Sequence, residues 1–276
     1  MEPITLVTDA RPFAADVQAE LKPLFEAFSA RGVTVQTRAW DDPTVDWAAA
    51  GLSVLRTPWN YHRHVREFVA WAKRVPRLLN PASVVEWNAT KTYLRELGAR
   101  GVPVTETEWL TGEVQLDEVL ERRGWAEAVL KPSVSAGSFR TKRFRRGSAP
   151  QALLTEILRE CTAMLQPYLA SVETSGERSL VFFGGELSHA VKRHPPLQTG
   201  LHGGTPVSAA SDELEVARAA LATQPELLYA RVDVARDAGG GVRLMELELI
   251  EPSLFLETAA GSADRFVEAV LKRAGA

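Results

Sequence analysis

Three acidic residues lie in a strand-like stretch near the C-terminus, "RVDVARDAGGGVRLMELELI". Asp233, Glu246 and Glu248 are flanked there by apolar residues. Side chains two apart in a strand point to the same face, so Arg231 shares a face with Asp233, and Glu246 shares one with Glu248. The run "RDAGGG" predicts a turn that joins two antiparallel strands. In matching register, the three carboxylates and the guanidinium meet on one surface of this hairpin.

Clustered carboxylates determine what chemistry this hairpin can do. Carboxylates that are packed together raise one another's pKa unless a cation neutralises them, and oxygen ligands favour Mg²⁺ or Mn²⁺. The hairpin therefore predicts a metal site formed by Asp233, Glu246 and Glu248. Strict alternation also places Val242 and Leu244 on the face of the two glutamates. The alternative is a solvent-exposed acidic sheet face that binds no metal.

A lysine at the end of an apolar strand is a second candidate, in "AVLKPSVSAGSF". Lys131 is followed by the small residues Ser133, Ser135, Gly137 and Ser138. Their amides and hydroxyls, together with the lysine, can hold phosphate oxygens. The spacing of the common Gly-x-x-x-x-Gly-Lys phosphate loop is absent, so an ordinary lysine at a strand end is the alternative.

A third candidate, "MLQPYLASVETSGERS", combines an apolar strand with an acidic segment that contains glycine. The strand ends in Gln166, Pro167, Tyr168 and Leu169, whose backbone groups could meet the edge of an adenine ring. Glu177 could then accept hydrogen bonds from ribose hydroxyls. Taken by itself, the stretch is more typical of an interdomain linker.

The elements that carry these residues follow from hydrophobic periodicity. The order of strand "ITLVTD", helix "AADVQAELKPLFEAFSARG" and strand "VTVQTRAW" predicts a parallel α/β sheet at the N-terminus. From Val104 to Leu169 the strands and helices become short, which predicts a compact α+β insert. Longer strands, the acidic hairpin and the amphipathic helix "RFVEAVLKRAG" follow Ser171. The predicted fold class is therefore α/β with an α+β insert.

Composition restricts the class of protein. The chain of 276 residues is 45% hydrophobic and 24% charged, and its formal net charge of -3 gives no sign of a surface for nucleic acid. Cys161 is the only cysteine, so no disulfide can form within the chain. The N-terminus lacks a signal-peptide pattern, and no apolar run reaches the roughly 18 residues of a membrane span. We expect a soluble cytoplasmic protein with no membrane or nucleic-acid partner.

The order of the candidate features is similar to a known superfamily. Lys91 precedes a helix, Lys131 precedes a small-residue loop, and "QPYL", Glu177 with Arg178, "RVD" and "MELEL" follow in turn. This ordered set, over about residues 80–256, resembles the ATP-grasp superfamily. The segments "NPASVVEWNATKTYLRELGARGVPVTET", "GERSLVFFGGELSHAVKR" and "LMELELIEPSLFL" resemble the branch of glutathione synthetases, glutamate ligases that modify ribosomal proteins and, in particular, D-cycloserine synthetases.

The resemblance implies three lobes, with ATP bound between the last two. Residues 1–103 would form a Rossmann-like N-terminal lobe, residues 104–170 a lid, and residues 171–276 the catalytic C-terminal lobe. It also implies Mg²⁺ as the metal, with Mn²⁺ as the alternative, and a small amino-acid-like substrate. A homodimer is common among such relatives.

Carried over position by position, the resemblance implies a nucleotide site. Lys91 and Lys131, with Ser138 in the loop between strands, would contact the phosphates. Residues 166–169 would line the adenine pocket, and Glu177 would meet the ribose.

The resemblance assigns the basic residues of the C-terminal region to the groups being transferred. Arg231 would steady the transferring phosphoryl group, and Arg178 and Arg193, or Lys192, would face an acyl phosphate. The three acids of the hairpin would hold the Mg²⁺ ions. Glu248 departs from the pattern because many family members carry asparagine there, which leaves the number of metal ions open.

Substrate contacts and the reaction are less specified. Arg56 ends a strand of the N-terminal lobe, where it could meet a substrate carboxylate or form an aromatic packing corner with Trp59 and Tyr61. In the loop "GLHGG", His202 could touch substrate, with Gly203 and Gly204 as hinges. Three functions fit the resemblance. They are an ATP-dependent ligase that activates a carboxylate or a carbamoyl-type group for attack by an amine, a cyclising synthetase like D-cycloserine synthetase, and a nucleotide-binding module without turnover.

Overall fold

A computed structural model of the protein describes residues 3–10, 15–193, 203–224 and 226–275. The described strands form three sheets that follow one another along the chain. Within these ranges, no helix is both long enough and apolar enough to cross a membrane.

The first sheet is parallel. Its strands are β1 (Ile4–Thr8), β2 (Val35–Ala39), β3 (Leu52–Thr57) and β4 (Leu78–Leu79), and its helices are α1 (Ala15–Ser29) and α2 (Val65–Ala72). The strand order is β2-β1-β3-β4, so the predicted unit of strand, helix and parallel strand is confirmed. Strands β1 and β3 are buried along their whole length, as expected for a parallel sheet that is covered on both faces.

The second sheet is antiparallel and has a core of its own. Its strands are β5 (Glu108–Leu110), β6 (Glu127–Pro132), β7 (Lys142–Arg145) and β8 (Ala163–Pro167), in the order β5-β8-β6-β7. Two helices, α5 (Leu116–Arg123) and α6 (Gln151–Leu158), pack on it. These short elements match the predicted α+β insert. Two helices, α3 (Ala82–Asn88) and α4 (Tyr93–Ala99), precede this sheet in the chain.

The third sheet has five antiparallel strands. They are β9 (Arg178–Phe183), β10 (Glu186–Arg193), β11 (Gly204–Val207), β12 (Tyr229–Arg236) and β13 (Val242–Glu248), in the order β11-β10-β9-β12-β13. The accompanying helices are α7 (Ser171–Thr174), α8 (Ser211–Leu221) and α9 (Ser262–Ala274), and short 3₁₀ turns cover Tyr61–Arg63 and Leu256–Thr258. Strand β13 is therefore an edge strand of this sheet.

The predicted hairpin of β12 and β13 is confirmed, with one correction. Arg231 pairs with Glu248, and Asp233 pairs with Glu246. A bulge after that pair makes Val234 pair with Leu244, so strict alternation breaks at Met245. The prediction that Val242 and Leu244 share the face of the glutamates is therefore wrong, and both pack in the core on the opposite face.

The two faces of the third sheet differ in what they pack against. We call the face that bears Ser179, Arg231 and Asp233 the front face, and the opposite face the back face. Apolar residues of the back face, such as Val232 and Leu247, join a core with helices α4 and α8. The apolar end of the front face packs on α9 and the first sheet, and its polar end carries the acids.

Candidate active site

The hairpin brings the three predicted metal ligands together. Asp233, Glu246 and Glu248 each have a carboxylate oxygen within 4.8 Å of those of the other two. Asp233 is 0% exposed because β12 lies inside the sheet, whereas the two glutamates on the edge strand are partly exposed. The prediction that these acids share one surface is confirmed.

Arg231 links two of these acids. Its Nε and Nη2 donate to Oδ1 and Oδ2 of Asp233 at 3.0 and 2.9 Å, and Nη2 also donates to Glu248. Ser179 Oγ donates to Asp233 Oδ1 at 2.6 Å, and Arg193 Nη1 lies 3.5 Å from Oδ2. Asp233 is thus held in one orientation with its charge compensated.

Two lysines from other parts of the chain reach the remaining acid. Lys131 Nζ donates to Glu246 Oε1 at 2.9 Å, and Lys91 Nζ lies 4.0 Å from the same oxygen. Lys91 Nζ also donates to the backbone oxygen of Ser135 at 2.8 Å, and its amide donates to Ser133 O at 2.7 Å. The loop after β6 therefore lies against Lys91, and Lys131 belongs to the strand that leads into this loop.

Ser138 occupies a different part of that loop. It is exposed, with a φ of 61° in the left-handed region. Next to it, the ring of Phe139 lies 5.0 Å from that of His62 in the first sheet's connecting segment. Among the described residues no hydrogen bond joins Ser138 to either lysine, so its phosphate contact stays a prediction.

The pKa values of the two glutamates move in opposite directions. Burial by itself raises the pKa of Glu246, but the ammonium groups of Lys131 and Lys91 outweigh it and lower the pKa far below its usual range. Burial raises the pKa of Glu248 to about 7, even though Arg231 lowers it. Glu248 is therefore the acid of the cluster whose negative charge is least compensated, as expected where a cation is to bind.

The cluster fits a magnesium ion in size and chemistry. Mg²⁺ takes oxygen ligands at about 2.1 Å in an octahedron, so two of its ligands lie at most about 4.2 Å apart. The carboxylate oxygens of the three acids lie within 4.8 Å of one another, so adjustments below about 1 Å would bring them onto one ion. The donor set is suitable for Mg²⁺, and Glu248 can ligate in place of the asparagine of other members.

A fourth acid, Glu251, was not among the predicted site residues. It follows β13 and is 9% exposed. Burial raises its pKa to about 8, and the negative charge of Glu248 adds to the shift. The sequence signal was its place in "MELELIEPSLFL", but its spacing from Glu248 gave no indication that it is buried beside the cluster.

Side chains from the segment before the second sheet hold the edge strand β13. Asn88 Nδ2 donates to Leu247 O at 2.8 Å, and its Oδ1 accepts from the amide of Leu249 at 2.9 Å. Tyr93 Oη accepts from the amide of Leu247 at 3.0 Å, and Asn80 Nδ2 donates to Leu249 O at 2.8 Å. These bonds replace a neighbouring strand at the positions that flank Glu248, and no spacing in the sequence predicted them.

The residues predicted to line the adenine pocket, 166–169, lie at the end of β8. Gln166 Nε2 donates to Thr107 Oγ1 at 2.9 Å, which holds the amide inside the second sheet. The guanidinium of Arg143 stacks 3.5 Å from the centre of the Tyr168 ring. Both side chains are engaged within the second sheet, so backbone groups are what this segment can offer to an adenine, and that role stays a prediction.

Glu177 is connected to the acids of the front face by its ion pair with Arg193. Its Oε1 accepts from Arg193 Nη1 at 2.9 Å, and Arg193 in turn lies near Asp233. Burial raises the pKa of Glu177 although Arg193 opposes the shift. The ribose contact stays a prediction, while Arg193 has the position expected of a residue that faces the reacting groups.

The structure does not bring Arg178 and Lys192 to the acids. The two residues pair with each other across β9 and β10, and Arg178 also pairs with Val234 of the back face. Lys192 Nζ donates to Thr174 O at 3.1 Å. Side chains alternate along a strand, so of the three basic residues Arg193 is the one that points to the front face. The contact of Arg178 and Lys192 with an acyl phosphate stays a prediction, which this orientation does not support.

Arg56 is a structural residue and not an open substrate contact. It is 0% exposed, and its Nη2 donates to Glu20 Oε1 at 2.7 Å and to Pro252 O at 2.8 Å. Its guanidinium also lies 5.1 Å from the ring centre of Tyr229. The predicted alternative of an aromatic packing corner is correct in kind, with different partners from those expected.

The glycine loop is described only in part. His202 lies outside the described residues. Gly204 begins β11, and a Cβ placed there would come within 2.1 Å of Val191 Cγ1. Close packing between strands therefore explains this glycine, and the hinge role of Gly203 and Gly204 stays a prediction.

Comparison with known proteins identifies the family of this chain. The family model for the N-terminal domain of D-cycloserine synthetase DcsG matches residues 4–80. The cycloserine biosynthesis protein DcsG of Streptomyces lavendulae is 34% identical over an alignment of 295 positions, which covers 98% of each chain.

Solved structures place the fold in the same group. The crystal structure of D-cycloserine synthetase DcsG superposes with a TM-score of 0.88 at 32% identity, covering 99% of each chain. A RimK-domain ATP-grasp protein from Sphaerobacter thermophilus superposes with a TM-score of 0.70 at 18% identity, covering 98% of this chain and 99% of that chain, which is a similarity of fold alone. The chain therefore belongs to the ATP-grasp ligases, ATP-dependent enzymes that form carbon-nitrogen bonds, in the branch that includes D-cycloserine synthetase.

Proposed function

We propose that this ligase uses ATP and Mg²⁺ to convert the carboxylate of a small amino-acid-like substrate into an acyl phosphate, which an amine then attacks. One observation carries the proposal. Three acids with oxygens within 4.8 Å of one another lie beside two lysines and two arginines, as magnesium and phosphate groups require.

Different residues would bind the metal ion and the phosphate groups. Asp233, Glu246 and Glu248 would hold Mg²⁺, which when bound neutralises the phosphate oxygens and aligns them for transfer. Lys131 and Lys91 would then release Glu246 in part and donate to phosphate oxygens.

Arginines complete the electrostatic stabilisation. Arg231 and Arg193 lie on the front face beside Asp233, where their N–H groups can donate to the group being transferred. They carry positive charge at all relevant pH values and need no proton exchange to act. They would stabilise negative charge that develops on the phosphoryl and acyl phosphate oxygens.

The reaction balances without a protein nucleophile. A substrate carboxylate oxygen attacks the γ-phosphorus of ATP, and ADP leaves. The amine nitrogen then attacks the acyl carbon, loses a proton, and inorganic phosphate leaves with the oxygen that was phosphorylated. Cys161 is not required, and it packs beside the core of the second sheet.

A cyclising synthetase is the second candidate. In this reaction the amine belongs to the same substrate molecule as the carboxylate. The similarity to D-cycloserine synthetase along the full chain favours this candidate. The two candidates share every residue named above and differ only in the origin of the nitrogen.

An ADP-release screen separates the two candidates. The purified protein would be supplied with ATP, Mg²⁺ and either amino acids, O-ureidoserine or dipeptides, alone and in pairs, with mass analysis of products. A ligase releases ADP over many turnovers only when a second substrate is present, whereas a cyclising enzyme turns over with a single substrate. If no compound stimulates ADP release, the proposed substrate class is wrong.

Three further expectations belong to the proposal. Residues 1–103, 104–170 and 171–276 would act as substrate lobe, lid and catalytic lobe, with residues 166–169 and Glu177 at the nucleoside. The protein would act in the cytoplasm without nucleic acid, and as a homodimer. Light scattering coupled to size-exclusion chromatography tests the oligomeric state.

A further inference from the structure

We propose that Glu251 binds the amino group of the substrate and so makes the enzyme selective for amino acids over simple carboxylic acids. The inference rests on the proposed function, because it names the part of an amino-acid-like substrate that the site recognises.

Within the part of the chain that the structure describes, the carboxylate of Glu251 has no hydrogen-bonded partner. The residue is 9% exposed, yet among the described residues no group donates a hydrogen bond to its carboxylate. Only its backbone oxygen is engaged, as an acceptor from Trp59 Nε1 at 3.0 Å. Glutamate is almost never buried to this extent unless it is paired.

The neighbouring cations are already committed to other groups. Lys91 and Arg231 both act on Glu251 electrostatically. Lys91 Nζ, however, donates to Ser135 O at 2.8 Å, and Arg231 donates to Asp233 at 2.9 Å and to a second acid of the metal cluster. The described residues therefore leave this carboxylate without a cation that is hydrogen-bonded to it, and a bound substrate can supply one.

The metal ion is not that counter-charge. The acids whose oxygens lie within 4.8 Å of one another are Asp233, Glu246 and Glu248, and Glu251 is not part of this group. Glu251 instead interacts with Tyr61, which follows β3 of the first sheet. It lies between the metal cluster and the carboxyl end of a parallel strand, where ligands bind in α/β sheets.

A substrate ammonium group fits this position in charge and size. It carries one positive charge and three N–H donors. In an α-amino acid the nitrogen is separated from the carboxylate carbon by a single carbon atom. A substrate that places its carboxylate at the metal cluster therefore places its ammonium beside it, which is where Glu251 lies relative to Glu248.

The test compares substrates with and without an amino group. The probes are O-ureidoserine, serine and alanine as both enantiomers, and the three matching acids in which hydrogen replaces the amino group. ADP release is measured for the wild-type protein, for Glu251→Gln, which keeps the shape and removes the charge, and for Glu251→Asp, which keeps the charge. Glu257→Gln, an exposed glutamate six residues away, is the matched control.

The inference expects a change confined to the amino compounds. For Glu251→Gln the KM of the best amino probe rises at least about 30-fold, because a charged hydrogen bond is lost. The KM for ATP changes less than about twofold, and ADP release with the des-amino acids is unchanged. Glu251→Asp recovers part of the affinity, Glu257→Gln behaves as wild type, and thermal unfolding confirms that every variant is folded.

Two outcomes overturn the inference while leaving the ligase intact. One is a wild-type enzyme that releases ADP equally well with the des-amino acids, and the other is a Glu251→Gln variant whose KM for both classes is unchanged or shifts equally. Absence of ADP release by the wild type with every probe is a different result. It removes the proposed substrate class itself, and the inference with it.

Discussion

Two buried arginines contact the same backbone segment, residues 251–254, and are compensated in different ways. Arg56 donates to Pro252 O and to a single acid, Glu20. Arg231 donates to Ser253 O at 3.2 Å and to two acids of the metal cluster. Arg56 is 0% exposed and Arg231 4%, so burial alone does not distinguish a structural residue from a functional one.

The difference lies in how the acids around each arginine are paired. Both oxygens of Glu20 are used, since Oε1 accepts from Arg56 and from the amide of Leu254, and Oε2 accepts from Ser253 Oγ. The acid of this pair therefore has no oxygen left for another group, although Arg56 Nε is buried without a hydrogen-bond partner among the described residues. Around Arg231 the acids outnumber the cations, and the carboxylate of Glu251 has no hydrogen-bonded partner among the described residues. The site is therefore distinguished by an excess of buried negative charge over positive charge, because buried charged residues also occur in the structural pair.

The largest expected effect on activity is at the metal cluster of Asp233, Glu246 and Glu248. Glu246→Gln should lower kcat for ADP release by about 1,000-fold, because the variant loses a ligand charge on which metal and phosphate binding depend. The protein should stay folded, since the side chain keeps its shape. Glu257→Gln is the control and should keep wild-type kcat. A Glu246→Gln enzyme that turns over as fast as wild type would falsify the metal assignment.

The pair of Arg56 and Glu20 should affect stability instead. Glu20→Gln leaves the Arg56 guanidinium buried without a counter-charge, so the free energy of unfolding should fall by about 3 kcal/mol. Urea denaturation measures this, with Glu26→Gln as control, because Glu26 lies on the same helix in an exposed pair with Lys22. Equal stability of the two variants would contradict the distinction between the pair and the cluster.

The sequence predicted the parts of the site that depend on local periodicity. Alternation and the run "RDAGGG" predicted the hairpin, and the pairing of Asp233 with Glu246 follows from it. Lys91, which precedes a helix, and Lys131, near the end of a strand, were predicted from their places in an ordered set, and both reach Glu246. Resemblance to ATP-grasp enzymes supplied the order that no single motif contained.

The parts that depend on tertiary packing were not predicted. Arg178 and Arg193 are equally basic and both close to a strand end, and only the sheet register decides that one faces back and the other front. The bulge at Met245 leaves no sequence signal. Asn88 and Tyr93 act on the edge strand from more than 150 residues away, with sequence separations of 159 and 154.

The surplus charge should also make stability depend on pH. The pKa of Glu251 is raised to about 8 and that of Glu248 to about 7, so their favourable contribution is complete below about pH 4.5 and is lost as the pH rises through 7 and 8. Glu251→Gln removes one of these groups. Its Tm relative to wild type should therefore increase by at least about 3 °C between pH 5 and pH 9 in the absence of Mg²⁺. A difference that is constant across this range would mean that Glu251 does not carry an uncompensated charge.

The smallest expected effect is on the back face, and it tests whether orientation is what separates Arg178 from Arg193. Arg178→Ala and Lys192→Ala should change kcat/KM less than about twofold, because neither side chain points toward the acids. Arg193→Ala should lower it by at least about 30-fold, since this guanidinium lies beside Asp233 and pairs with Glu177. ADP release under identical conditions provides the comparison. If Arg178→Ala loses as much activity as Arg193→Ala, the back face takes part in the reaction, and the site is wider than the cluster around Arg231.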